Sequence, residues 1–390
     1  MERIDDKCLV CGSTAVKQFF EVRGAPIMGN TPFPTRESAR NVGRAEMRLE
    51  FCQKCGHIFN GAFDSKRTEY NEGYENPLHY SSRFKAYNAE LIARLINTYD
   101  LHNKKIMDVG GGKGHFLNLL CKEGNNQGIC FDPACEVEQA QKSTGPITFI
   151  KDFYSEKYRD YKADLICCRH VLEHIYSLRQ FLDLIRHAIS DKANAFVFFE
   201  VPNADYVFKD LSVWDLLYEH CSYFTKNSLH YLFAVSGFRV CNLFETYKDQ
   251  YLCIEAKPAT KSAEIKNYDM EKVIHSVERF GEKYQKKIET WRQKFESLKQ
   301  ANKKAVVWGA GTKGVMFLNM LKIEDQIEYV VDINPNKQGR YIAGAGQKII
   351  TPDFLKEYKP DTIVIMNQIY ENEIKQILNN LEISAEFLYA

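Results

Sequence analysis

Lys105-Ile106-Met107-Asp108-Val109-Gly110-Gly111-Gly112-Lys113-Gly114 reads as a buried strand that turns at once, through four glycines, into a helix. Further strands are expected at Gln127–Phe131, 163–168 and 195–201, where apolar runs are bounded by turn residues. Ahead of the first strand, Leu91, Ile92, Leu95 and Ile96 recur at helical spacing, which predicts a helix over 86–99. Strands that alternate with helices pack as a parallel, doubly wound sheet, so the fold class is α/β.

Glycine at 110, 112 and 114 removes the Cβ atoms that would hold a ligand off the backbone. Asp132 ends the next strand, where a carboxylate can accept hydrogen bonds from the two hydroxyls of a ribose. Asp152-Phe153 follows a third strand. The turn lacks the Lys-Ser/Thr ending of a phosphate-binding loop, and Asp108 would repel a pyrophosphate while it can engage a cationic amino group. A sulfonium cofactor with an α-amino group, S-adenosylmethionine, fits these residues better than a dinucleotide does.

The 390 residues exceed one ordinary core and predict two or three domains. A net charge of +1 gives no global basic field, so no nucleic acid partner is expected. The sequence shows neither a run of about 20 apolar residues nor an apolar N-terminal leader, which predicts a cytoplasmic protein without a membrane partner. Twelve cysteines in such a protein read as reduced thiols or metal ligands. Cys8 and Cys11 form one Cys-x-x-Cys pair and Cys52 and Cys55 another, which together predict a closed, structural Zn2+ site. His57, near the second pair, reads as a surface histidine. The other eight cysteines read as small buried apolar residues.

These features divide the chain into a zinc-binding module at 1–79, the glycine-turn domain at 80–258, a helical arm at 259–302 and a second Rossmann-like α/β domain at 303–390. The first module looks independent and poor in core. Val273, Val277, Phe280, Tyr284, Ile288, Trp291, Phe295 and Leu298 form one apolar stripe, which reads as a long helix packed between domains or against a second chain. After it, Gly309-Ala310-Gly311-Thr312-Lys313-Gly314 follows a strand at 305–308, with further strands expected at 327–331, where Asp332 follows, and at 362–366. Taken alone, that pattern suits an NAD-dependent oxidoreductase.

Residues 105–201, with Asp108 to Gly114, Asp132, Asp164-Leu165-Ile166 and His170-Val171-Leu172-Glu173-His174, resemble the class I methyltransferase fold. The resemblance assigns the cofactor to Asp108, Gly110, Gly112, Gly114, Asp132, Asp152, Phe153 and the segment with His170, on an expected helix after Cys168. The order of modules, with Trp308-Gly309-Ala310-Gly311-Thr312-Lys313-Gly314 and Val331-Asp332-Ile333-Asn334-Pro335-Asn336-Lys337, resembles the sugar-nucleotide C-methyltransferase family over nearly the full chain. That family methylates carbon beside the keto group of a nucleotide-linked 4-keto-deoxysugar, and its C-terminal domain helps to hold the nucleotide.

The resemblance implies His220 as base, with Glu219 orienting it or touching the sugar and Tyr80 over the site. It implies substrate contacts at Tyr223, Gly311, Lys313, Asp332, Asn334, Lys337 and Asn367. His174 reads as packing or lid. Two positions depart from the family pattern: Leu217 stands where C-methylating relatives carry tyrosine, and Met366-Asn367 replaces a Trp-Asn pair. A sugar hydroxyl or amine as the acceptor is the alternative these departures open. A monomer or a homodimer is equally compatible with the sequence.

Overall fold

The computed structural model describes residues 7–68, 73–74, 78–135, 146–189, 194–259, 265–266, 268, 270–323 and 326–390. Strands β1 (Val16–Pro26), β2 (Arg44–Cys52) and β3 (Ile58–Asn60) form an antiparallel sheet at the N-terminus. The glycine-turn domain supplies β4 (Lys105–Val109), β5 (Gln127–Phe131), β6 (Ile147–Ile150), β7 (Leu165–Arg169) and β8 (Phe196–Pro202), all parallel. Every residue of Phe196-Val197-Phe198-Phe199-Glu200-Val201 is buried, as suits a strand covered on both faces.

After β8 the chain leaves the central sheet. β9 (Ser222–Tyr223) pairs with β3, so a loop of the central domain completes the N-terminal sheet. The chain then returns through β10 (Phe238–Thr246) and β11 (Tyr251–Pro258), and β11 inserts antiparallel between β8 and β10. The seven-stranded order is β10-β11-β8-β7-β4-β5-β6. The α/β fold class expected from the sequence is thus observed.

Helix 86–99 begins earlier than periodicity suggests, at Ser82, because Ser81 caps it by accepting from Phe84 N–H. After β7 the expected helix through His170 is absent. His170 takes a left-handed backbone with φ 55°, and one short turn, Leu172–His174, follows. Val171 explains the break: its Cγ2 lies so close to Gly110 that a Cβ there would approach to 2.2 Å, so the turn after β7 packs directly on the glycine turn after β4.

The long helix, Met270–Gln300, carries the expected stripe from Val273 to Phe295 as buried residues, with Leu298 partly buried. Its Phe280, Tyr284, Trp291 and Phe295 share one apolar core with Phe20, Met47 and Phe51 of the N-terminal sheet and with Phe317 and Leu318 of the C-terminal domain. The first module therefore does not stand alone; the helix cements it to the far end of the chain. The C-terminal domain contains β12 (Ala305–Trp308), β13 (Tyr329–Val331), β14 (Lys348–Ile350), β15 (Thr362–Ile365) and β16 (Glu386–Tyr389), all parallel in the order β14-β13-β12-β15-β16. Strand order reverses beside β12, which places the second glycine turn at a topological switch point. No helix among the described residues is long and apolar enough to cross a membrane.

Candidate functional site

Cys8, Cys11, Cys52 and Cys55 bring their sulfurs within 4.8 Å of one another. Each pair sits on a turn closed by a glycine N–H, from Gly12 to the Cys8 carbonyl and from Gly56 to the Cys52 carbonyl, both at 2.9 Å. Both glycines have positive φ, a conformation that lets the second sulfur of each pair fold back toward the first. Four thiols so gathered fit a tetrahedral thiolate site with no open position. His57 is not on the surface. It is fully buried, stacked on Phe59 with ring centroids 5.7 Å apart and flanked by Phe224, and burial holds its imidazole at a pKa of about 3. Of the other eight cysteines, Cys241 lies exposed near a sheet edge rather than buried.

The first glycine turn divides its duties. A Cβ at Gly110, Gly111 or Gly114 would strike Val171, the Asp108 carboxylate or Phe149, so these three glycines serve close packing. Gly112 alone faces open space, with φ 57°. The Asp132 carboxylate reaches this spot, accepting from Gly112 N–H and from Ala134 N–H at 2.7 Å each. Asp108 is buried beneath the turn, and burial lifts its pKa to about 7 against the pull of Arg169. Asp152 accepts from the Tyr158 hydroxyl at 2.6 Å, and Phe153 is 59% exposed. Gly112 and Asp132 thus offer a backbone edge and a carboxylate at the carboxyl ends of β4 and β5, a donor set that fits the ribose of S-adenosylmethionine.

A cavity of about 270 Å³ opens between the central and C-terminal domains. Gly311, Lys313, Asp332, Asn334, Lys337 and Asn367 all line it from the C-terminal side, and Tyr80, His170 and His220 from the other. Gly311 faces open space, whereas a Cβ at Gly314 would come within 2.0 Å of the Gly309 carbonyl oxygen. Asp332 accepts from Ala310 N–H at 2.7 Å, and the buried Lys337 ammonium donates to the Ala310 carbonyl at 3.1 Å. Several bonds tie the two walls together. The Lys313 ammonium pairs with Asp215, Gln250 and Asn367 exchange amide hydrogen bonds at 2.8 and 3.1 Å, and the Tyr247 hydroxyl donates to that of Tyr370. Glu373 accepts from Ser81 Oγ and Ser82 N–H, fastening the Tyr80 segment to the C-terminal domain.

Two expected contacts fall elsewhere. Tyr223 does not line the cavity; its hydroxyl donates to the Leu217 carbonyl and accepts from Leu217 N–H, clamping the 217–223 loop on itself. Glu219 is buried and is not among the residues that line the cavity. Its Oε1 accepts from Gly29 N–H at 3.1 Å, and it bonds the Tyr74 hydroxyl, so it fixes the N-terminal module against the loop. Tyr74 in turn lines the cavity. Leu217 does so as well, while Tyr218 turns the other way and accepts from Asp64 N–H.

Three imidazoles, His170, His174 and His220, line the cavity together with the Glu173 carboxyl, and the buried carboxyls of Glu200 and Glu219 lie nearby. His220 is 8% exposed, its ring centroid 4.8 Å from that of His174. Burial, then His174 and His170, press its pKa well below 6.5, so the imidazole is neutral at neutral pH. Burial also lowers His174 to about 4 and raises Glu173 to about 8 and Glu219 to about 7. Glu200 behaves otherwise: although burial pushes it up, Arg169 and His170 outweigh that and hold it low, as an ionised carboxylate. Sequence reasoning set His174 aside as packing and gave Glu173 no role, although both stand in the quoted His170–His174 segment; a lid reading hid that they face a cavity.

Residues 80–243 match the family model for a methyltransferase domain, and residues 254–389 that for a C-methyltransferase C-terminal domain. No curated protein matches the chain. Among solved structures, an O-methyltransferase family protein from Burkholderia thailandensis is 14% identical, with 46% of this chain and 60% of that one covered, at a TM-score of 0.34. The 1,6-didemethyltoxoflavin N1-methyltransferase of the same organism is 17% identical over 46% of this chain and 79% of that one, at a TM-score of 0.36. The magnesium protoporphyrin IX methyltransferase of Synechocystis is 16% identical over 45% and 83%, also at 0.36. The C-terminal match gives the second glycine turn to a methyltransferase and leaves the dehydrogenase reading without support. Both walls of the cavity therefore come from methyltransferase domains, and the chain is an S-adenosylmethionine-dependent methyltransferase with a class I α/β core.

Proposed function

We propose that this methyltransferase acts on a nucleotide-linked 4-keto-deoxysugar and adds the methyl group to the carbon beside the keto group. One observation carries the reading: a single cavity has His220 on one wall and, on the other, a ligand-accessible glycine turn with Asp332 and Lys337. Such a turn accepts a diphosphate against backbone N–H groups, a carboxylate at the strand end accepts ribose hydroxyls, and a buried ammonium offsets phosphate charge. A nucleotide seated there directs its sugar toward His220.

S-adenosylmethionine, held along Gly112 and Asp132, supplies an electrophilic methyl group. The neutral His220 removes the proton from the carbon beside the keto group, and the electron pair of that C–H bond passes into the enolate. Tyr80 lines the same cavity, and its hydroxyl is the group suited to the enolate oxygen. Holding carbon and methyl donor in line is the remaining contribution of the two walls. The cysteine cluster, in this reading, holds a structural Zn2+, which braces β3 and, through it, β9 and the His220 loop.

Incubating the protein with S-adenosylmethionine and a panel of thymidine- and uridine-diphosphate 4-keto sugars tests the reading. A product heavier by one CH2, with one hydrogen replaced by a methyl group and release of S-adenosylhomocysteine, is expected; inertness across the whole panel contradicts it. Leu217 favours a second reading. It places an apolar side chain on the cavity wall where C-methylating relatives carry tyrosine, and without that hydroxyl an O- or N-methyl acceptor becomes competitive.

A further inference from the structure

Along the cavity wall the tautomers of two histidines can be assigned from their partners. His174 Nδ1 lies 2.9 Å from the carbonyl oxygen of Glu219, a group that can only accept, so Nδ1 carries the proton and Nε2 does not. His170 Nε2 lies 2.7 Å from the Glu200 carboxylate, off the line of a hydrogen bond, so in the neutral ring that contact favours the proton on Nε2 and leaves Nδ1 as the acceptor. The two unprotonated nitrogens converge on one atom. Glu173 Oε1 is 3.9 Å from His170 Nδ1 and 4.0 Å from His174 Nε2.

An ionised oxygen between two nitrogen lone pairs gains nothing from either, whereas a protonated one can donate to either nitrogen once the side chain closes the last ångström to hydrogen-bond distance. The Glu173 side chain is 2% exposed, and its second oxygen, Oε2, is buried without a hydrogen-bond partner. A carboxyl oxygen of Glu173 and the ring nitrogens of His174 and His220 lie within 4.8 Å of one another. His170, with 24% of its side chain exposed, is the most open member of the group. The raised pKa of Glu173, about 8 through burial, agrees with a carboxyl that is neutral at rest.

We infer that Glu173 is a proton relay, passing the proton that His220 takes from the substrate to His170, the most exposed member of the group. This rests on the carbon-methylation reading, in which His220 is the base. The balance is simple. The substrate C–H proton moves to His220 while its electron pair enters the enolate. As His220 gives that proton to the free oxygen of Glu173, Oε2, the other oxygen, Oε1, releases its own proton to His170 Nδ1. The C=O and C–OH bonds of the carboxyl exchange places, and nothing is oxidised or reduced. The cation left on His170 is met by the Glu200 carboxylate and loses a proton to solvent. Methyl transfer then consumes the enolate, and one proton per turnover has left the site.

The test uses the full-length protein in D2O with thymidine-diphosphate-linked 4-keto-6-deoxy- and 4-keto-2,6-dideoxyhexoses, following deuterium entry beside the keto group by NMR with S-adenosylhomocysteine and, in parallel, methyl transfer with S-adenosylmethionine. Glu173→Gln keeps shape and a donor but cannot pass a proton. It is expected to lower solvent exchange at least tenfold relative to methyl transfer to carbon, because the proton stays on His220 and returns to the same carbon. His170→Gln, which removes the exit and leaves Glu173 in place, should show the same uncoupling. Carbon methylation with unchanged exchange in both variants overturns the relay alone. Methylation on oxygen or nitrogen in the parent protein overturns the carbon reading and the relay with it.

Discussion

His220 is buried and neutral, with the Glu173 carboxyl and the His174 ring as its neighbours, an arrangement that sets how its chemistry responds to pH. Because burial and the neighbouring histidines lower its pKa, the base stays unprotonated well into acid. The acid limb of kcat/KM should fall below the 6.5 of a free imidazole, and a limb at or above that value counts against His220. His220→Asn should lower kcat by about 10²–10⁴-fold while leaving S-adenosylmethionine binding by calorimetry intact. Glu173 makes an opposite prediction for stability. Its folded pKa of about 8 exceeds the unfolded value of 4.5, so the folded state binds the extra proton and stability is lost as pH rises from one value to the other. Glu173→Gln removes that loss. Urea unfolding should show the variant gaining roughly 2–4 kcal/mol on the parent between pH 5 and pH 8, and an unchanged difference contradicts a neutral buried acid. The sequence offers His220 as base only through resemblance, and neither its burial nor its neighbours were legible there. Glu219 and Gly29 meet across 190 positions, and the clamp of Tyr223 on Leu217 depends on a turn that no periodicity encodes.

At the level of elements the sequence was far more informative, because turns that need glycine and pairs of ligands at fixed spacing are local. Both glycine turns and both cysteine pairs fall where the sequence puts them. What spacing could not say is which glycine serves the ligand and which the fold. Gly311→Ala adds a methyl into open space, so the protein should keep its stability while its affinity for a nucleoside diphosphate drops at least tenfold. Gly314→Ala drives a methyl into the Gly309 carbonyl and should cost about 1–3 kcal/mol of stability, measured by urea unfolding. If both variants behave alike, the division of labour is wrong. The cysteine turns act on the active-site loop through strand pairing. Cys52→Ser should abolish stoichiometric zinc by elemental analysis, and activity should fall with it, because β3 is the strand that β9 pairs with two residues after His220.

For the molecule as a whole, one helix decides how the parts cooperate. The apolar stripe of Met270–Gln300 was plain in the sequence, but its partners were not, since two surfaces of opposite chain ends come together on it. Trp291 packs edge-on against Phe317 at 5.1 Å and lies in the core shared with the N-terminal sheet. Trp291→Ala should cost about 3–5 kcal/mol, and limited proteolysis should then release the N-terminal and C-terminal regions at matching rates. Joining chain ends in this way closes the acceptor cavity from two sides while the methyl donor's turn stays on the central sheet. The account therefore stands or falls on where the methyl group goes. With 13C-methyl-labelled S-adenosylmethionine and a nucleotide-linked 4-keto-deoxysugar, NMR of the product should show the labelled methyl bonded to the carbon beside the keto group, at the chemical shift of a C–CH3. A label at the shift of an O–CH3 or N–CH3 would contradict it.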